Sequence, residues 1–127
     1  MKKKSQSEIA RGAANLTWRR TTVGMEEFKI IHGNDYETFC KGWPDFVAYN
    51  KLSGEYRFIE LKRENQIREK IEWILTEQQN KVRKILEKIS GNKSCYEIWF
   101  FENKKGSEKI VKKAVCKGNK LEFYEDN

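Results

Sequence analysis

Gly42-Trp-Pro-Asp-Phe-Val-Ala-Tyr49 and, six residues later, Tyr56-Arg-Phe-Ile-Glu-Leu-Lys62 are the stretches that decide the fold. Both are rich in aromatic and branched side chains, which fit a pleated strand. Lys51-Leu-Ser-Gly54 between them is hairpin-sized and holds the glycine a tight connection uses. Pro44, the only proline, cannot donate to a ladder, so it suits the first position of a strand or an edge. It also pushes Trp43 into an extended conformation. Strands over Phe46–Tyr49 and Tyr56–Leu61 are therefore expected, with Asp45 at the mouth of the first. Glu60 and Lys62 stand two apart and project from one face of the second strand, while Arg57, Ile59 and Leu61 point the other way. A Glu and a Lys ending an otherwise apolar strand call for partners or a metal, because buried charges are normally compensated.

Outward from this pair, the pattern before it predicts a short helix from about Ser5 to Leu16, with Ile9, Ala13 and Leu16 on one face and a Ser5/Glu8 capping box. Phe28-Lys-Ile-Ile-His32 reads as a strand and Gly33-Asn34-Asp35 as a turn. Downstream, Ile67, Ile71, Ile74, Gln78, Val82, Ile85 and Ile89 form a helical stripe that Gly91-Asn92 stops. Thr76-Glu-Gln-Gln79 offers a fresh N-cap and capping box, so the stripe belongs to one helix or two. Cys95-Tyr-Glu-Ile-Trp-Phe-Phe101 is apolar on both faces, hence central. A basic hairpin, roughly Lys109–Cys116 and Lys120–Tyr124, closes the chain around Gly118-Asn119. The expected fold class is α/β: one domain over residues 1–127, a mixed sheet flanked by helices.

The 127 residues carry 26 Lys and Arg against 19 Asp and Glu, a net charge of +7. Aromatic residues make up 13%, which argues against a disordered chain. No apolar run approaches the ~20 residues that span a bilayer. Lys2, Lys3 and Lys4 look like the start of a signal peptide, but Ser5-Gln-Ser-Glu-Ile follows instead of an apolar stretch. Cys40, Cys95 and Cys116 are odd in number and widely spaced, which points to neither a disulfide framework nor a zinc site. A soluble, reduced, cytoplasmic protein is expected, with polyanions, nucleic acid first, as its partner.

Two carboxylates on adjacent strands can hold a hard divalent cation that keeps several of its waters. Such a cation acidifies water and neutralises charge building on a phosphoryl oxygen, and a neighbouring ammonium can position the nucleophile or stabilise the transition state. Asp45, Glu60 and Lys62 thus form a minimal phosphodiesterase set.

Gly42-x-Pro44-Asp45, fourteen residues, then Glu60-Leu-Lys62 resembles the PD-(D/E)xK nuclease superfamily. With Leu75-Thr-x-x-Gln79, the pattern is most similar to its VRR-NUC (virus-type replication-repair nuclease) family, although Arg63–Ile74 places twelve residues where that family has a few. The resemblance implies a restriction-endonuclease-like α-β-β-β-α-β core. It also implies Asp45, Glu60 and the Leu61 carbonyl as ligands of Mg²⁺ or Mn²⁺, Lys62 as the catalytic lysine and Gln79 beside the metal. Glu8 occupies the place of an acidic residue on the first helix that often assists. A homodimer cutting branched DNA, such as four-way (Holliday) junctions, in a bacterial, archaeal or virus-infected (phage-infected included) cell would follow.

Plainer readings stand beside these. Gln79 could simply cap a helix, and Glu8 could cap the first one. Lys81, Lys84 and Lys88 suit a solvated helix face, and lone His32 is a poor ligand. Trp43 could stack a base or fill the core. Lys2, Lys3, Lys4, Arg11, Lys104, Lys105, Lys112 and Lys113 are candidates for phosphate contacts. A non-catalytic DNA-binding module of the same fold and an RNA-directed nuclease are the alternatives.

Overall fold

The computed structural model describes residues 6–126, with side chains from residue 16. Lys2, Lys3 and Lys4, and the side chains of Glu8 and Arg11, lie outside the described residues. The chain divides into two compact units, Met1–Cys40 and Lys41–Asn127.

In the first unit one helix, α1, runs from Gln6 to His32. The strand expected at Phe28–His32 is absent: those residues are the last turns of α1. Nothing between Leu16 and His32 breaks a helix except the single Gly24, and a short apolar run does not distinguish strand from helix. Phe28 and His32, four apart, stack on the same face with ring centroids 4.5 Å apart, and Tyr36 meets the Phe28 ring edge-on. Gly33, at φ +79°, ends the helix with its N–H on the Lys29 carbonyl.

The second unit is a five-stranded mixed sheet: β1 (Phe46–Tyr49), β2 (Tyr56–Arg63), β3 (Ser94–Phe101), β4 (Ile110–Lys117) and β5 (Lys120–Tyr124), in that spatial order. Only β2 and β3 are parallel, joined through helix α2 (Glu77–Ser90). β3 is the middle strand, as its two apolar faces predict. The element order is therefore α-β-β-α-β-β-β rather than a core with three strands before its second helix. Among the described residues no helix is long and apolar enough to cross a membrane.

The stripe expected from Ile67 to Ile89 is not one helix. Residues Glu64–Gln66 and Ile71–Trp73 are single 3₁₀ turns, and α2 starts only after Thr76. The β4–β5 turn claims the intervening backbone: Ile71 N–H donates to the Asn119 carbonyl (3.0 Å) and Glu72 N–H to Asn119 Oδ1 (3.2 Å). Those donors cannot also serve a helix. The buried face of α2 is rotated from the expected one. Val82 and Leu86 are buried, whereas Ile85 and Ile89 are 37% and 77% exposed. Val82, Leu86, Ile71, Ile74 and Leu75 join Phe58, Tyr96, Ile98, Phe100, Ala114 and Cys116 of the sheet as the core. By register, the side chains of Phe58, Glu60 and Lys62 share one face of the sheet with Tyr96, Ile98 and Phe100.

Candidate active site

β1 pairs antiparallel with β2 from Phe46 opposite Ile59, so Asp45 comes one step beyond the ladder, opposite Glu60. Pro44 and Asp45 end the strand, and the Asp45 side chain continues its bonding: Oδ2 accepts the Leu61 N–H at 2.7 Å. In a strand a residue's N–H and C=O face the same side, so the Leu61 carbonyl is turned toward the Asp45 side of β2. Asp45, Glu60 and Leu61 are thus neighbours across the β1–β2 pair.

Glu60 is 4% exposed and Asp45 is exposed. Burial pushes the Glu60 carboxyl up to about 7, the neighbouring Asp45 charge adds to the rise, and Lys62 opposes it. One oxygen of Glu60, Oε1, accepts the Gln79 side-chain N–H at 3.1 Å. The other, Oε2, is buried with no partner among the described residues.

Gln79 caps α2 and also touches two of the candidate site residues. Its Oε1 accepts the Thr76 N–H (2.9 Å) while Thr76 Oγ1 accepts the Gln79 N–H (3.2 Å), the reciprocal capping box of α2. The same Oε1 accepts from Lys62 Nζ at 3.0 Å. One amide side chain thus starts the helix and bridges Glu60 to Lys62. Gly42 sets the helix against the motif: a Cβ there would lie 2.7 Å from the Gln78 carbonyl carbon and 2.9 Å from Gln79 N. Only a residue without a side chain lets the Gly42-Trp-Pro-Asp45 loop touch the first turn of α2.

Two like-charged carboxylates and a buried, unpartnered carboxylate oxygen make a pair short of positive charge, and oxygen donors of this kind fit a hard divalent cation. Asp45, Glu60 and the Leu61 carbonyl can supply three such donors. Among the described residues no group of three His, Cys, Asp or Glu side chains converges here or elsewhere, so water would complete such a coordination shell.

The basic candidates are not gathered. Lys104 and Lys105 are exposed in the β3–β4 connection. Lys112 and Lys113 follow each other on β4 and project to opposite faces. Lys112 sits over the Phe123 ring at 5.6 Å, whereas Lys113 stacks on Trp99 at 4.2 Å and pairs with Asp126.

Sequence reasoning missed a second polar centre, on the opposite face of the sheet. Glu97, fully buried, accepts from Arg57, Tyr124 and Trp99, and Cys95 Sγ lies 3.4 Å from it. Burial alone would raise Glu97, but the Arg57, Tyr124 and Trp99 hydrogen bonds outweigh it and hold the carboxyl at about 2. The available signal was a lone acid inside an apolar central strand, with Arg57 on its neighbour.

Comparison of the chain with known protein families, curated proteins and solved structures gives no match.

Proposed function

We propose that this protein is a divalent-metal-dependent nuclease of the PD-(D/E)xK type, similar to VRR-NUC enzymes, hydrolysing DNA phosphodiester bonds. The observation that carries this reading is that Gln79 bridges Glu60 to Lys62 while Asp45 accepts the N–H of Leu61 between them, with Glu60 Oε2 left unpartnered among the described residues. Asp45, Glu60 and the Leu61 carbonyl would hold Mg²⁺ or Mn²⁺. A bound ion supplies charge neutralisation at the phosphodiester and a more acidic water. Gln79 holds the Lys62 ammonium beside the carboxylates, where it can donate to the attacking water or to a phosphoryl oxygen as negative charge develops. The parallel β2–β3 pair with its α2 crossover is compatible with a restriction-endonuclease-like core. A homodimer acting on branched DNA in the cytoplasm accords with the resemblance, because symmetric cutting of two strands needs two sites.

A labelled four-way junction, a flap, a linear duplex and a single strand, each incubated with Mg²⁺, Mn²⁺ or EDTA, test the reading. Cleavage with either metal, none with EDTA, and none by Asp45→Ala or Glu60→Ala that retain the wild-type circular dichroism spectrum is the expected result. Cleavage surviving in both variants, or no cleavage of any substrate, overturns it.

A further inference from the structure

β2 does not stop at Lys62. It runs one residue further, to Arg63, and beside its end and that of β3 lies a groove of about 280 Å³. Leu61, Lys62, Arg63 and Phe101 line it from the strand ends, and Glu102, Lys104 and Ser107 from the connection to β4. In open α/β sheets ligands settle outside the carboxyl ends of the strands, which is where this groove is.

Its walls are fixed and cationic. Arg63 N–H is held by Gln66 Oε1 at 2.9 Å. The Lys104 loop is closed on itself by Glu102 N–H to the Lys109 carbonyl (2.8 Å), Ser107 N–H to the Lys104 carbonyl (3.0 Å) and Lys109 N–H to Ser107 Oγ (3.2 Å). Among the described residues the Arg63 and Lys104 side chains have no anionic partner, and Glu102 is the one carboxylate set against Lys62, Arg63 and Lys104. A guanidinium and an ammonium lining one groove, with a single carboxylate against three cations, suit a phosphate, which Arg binds in bidentate fashion. Half-buried Phe101 adds an aromatic surface of the kind on which bases stack. The volume lies just below the range of small-ligand sites, about 300–1,000 Å³, which limits an occupant to about one nucleotide.

We propose that this groove seats a single nucleotide of the substrate strand next to the cleaved bond, with Arg63 and Lys104 on its phosphate and Phe101 against its base. The proposal rests on the nuclease reading and names the substrate element that the site grips. Thymidine 3′,5′-bisphosphate is the probe, with thymidine and inorganic phosphate as its two halves, titrated calorimetrically against the full chain in EDTA. Wild type and Asp45→Ala should bind the bisphosphate equally, and each half at least tenfold more weakly. Arg63→Gln/Lys104→Gln, both exposed positions, should lose at least tenfold in affinity with an unchanged melting temperature, and Phe101→Leu should lose affinity for the bisphosphate but not for phosphate.

Bisphosphate binding unchanged in the double variant overturns the proposal, as does phosphate binding as tightly as the bisphosphate. If the double variant melts early, Lys104→Glu alone decides by the same criterion. Bisphosphate binding that follows this pattern in a protein that cuts no DNA supports the nucleotide seat and sinks the nuclease reading. DNA cleavage with bisphosphate binding indifferent to Arg63 and Lys104 does the reverse.

Discussion

Gly42 meets two demands at once: a backbone φ of +86° and contact with the first turn of α2. Any side chain would incur the left-handed penalty of about 1–2 kcal/mol and then collide with the Gln78 carbonyl. Gly42→Ala should therefore lower stability by at least that amount in a urea melt, and should slow cleavage as the helix start carrying Gln79 shifts; an unchanged midpoint would refute the close approach. Lys62 and Gln79 separate position from charge. Lys62→Ala should reduce the single-turnover rate by a factor on the order of 10²–10³, the usual loss for one preorganised electrostatic contact, with little change in the metal titration midpoint. Lys62→Arg should not rescue, because a planar guanidinium is not a compact point charge. Gln79→Glu keeps the oxygen that accepts the Thr76 N–H but loses the donor to Glu60 and adds a third negative charge there. It should lose some stability through the unpaired Glu60 and cleave poorly even where fully folded, and equal rates would show that Gln79 is a cap and nothing more. Asp45, Glu60 and Lys62 were legible because strand alternation fixes which side chains share a face. The Glu97 centre was not, since its five members are scattered from Arg57 to Tyr124 and meet only through β2–β3–β4–β5 pairing.

Among the elements, the β4–β5 turn does more than reverse the chain. Asn119 accepts from Ile71 and Glu72, Lys120 bridges Lys70, and the buried Arg83 donates to the Gly118 carbonyl at 3.1 Å. The C-terminal hairpin thereby anchors the segment between Lys62 and α2. Asn119→Ala removes the acceptor of Glu72 N–H while keeping the backbone one, and should cost about 1 kcal/mol in a denaturant melt. Hydrogen exchange at Glu72 should accelerate against an unchanged Phe58; equal protection of both would count against the anchor. The same contact explains the misread stripe. Isoleucines at helical spacing from Ile67 to Ile74 suggested a helix, and a turn some fifty residues away took the backbone donors of Ile71 and Glu72. Phe28–His32 failed for a local reason: five residues, apolar or aromatic but for Lys29, are too short to carry a period that tells a helix end from a strand. The five strands of the sheet, by contrast, have ends close to those that the alternation and turn residues predict.

At the scale of the molecule, acid stability reports the Glu97 centre. Its folded value of about 2 lies below the ordinary 4.5, so its stabilisation is complete above about 4.5 and lost as pH falls toward 2. The shift corresponds to about 3 kcal/mol for this fully buried group. The difference between urea melts of wild type and Glu97→Gln should therefore be largest at and above pH 5 and shrink steadily as pH falls toward 2; a difference independent of pH would place the stabilisation elsewhere. The sheet itself carries one more consequence. Its spatial order is its chain order, so each strand finds its partner already in place as synthesis proceeds, with a single helical crossover as the one long closure. Every candidate catalytic side chain in the sheet unit lies between Asp45 and Gln79, upstream of β3. These side chains are thus translated before the β4–β5 hairpin that anchors the segment between Lys62 and α2, so a nascent chain carries them before it carries their anchor.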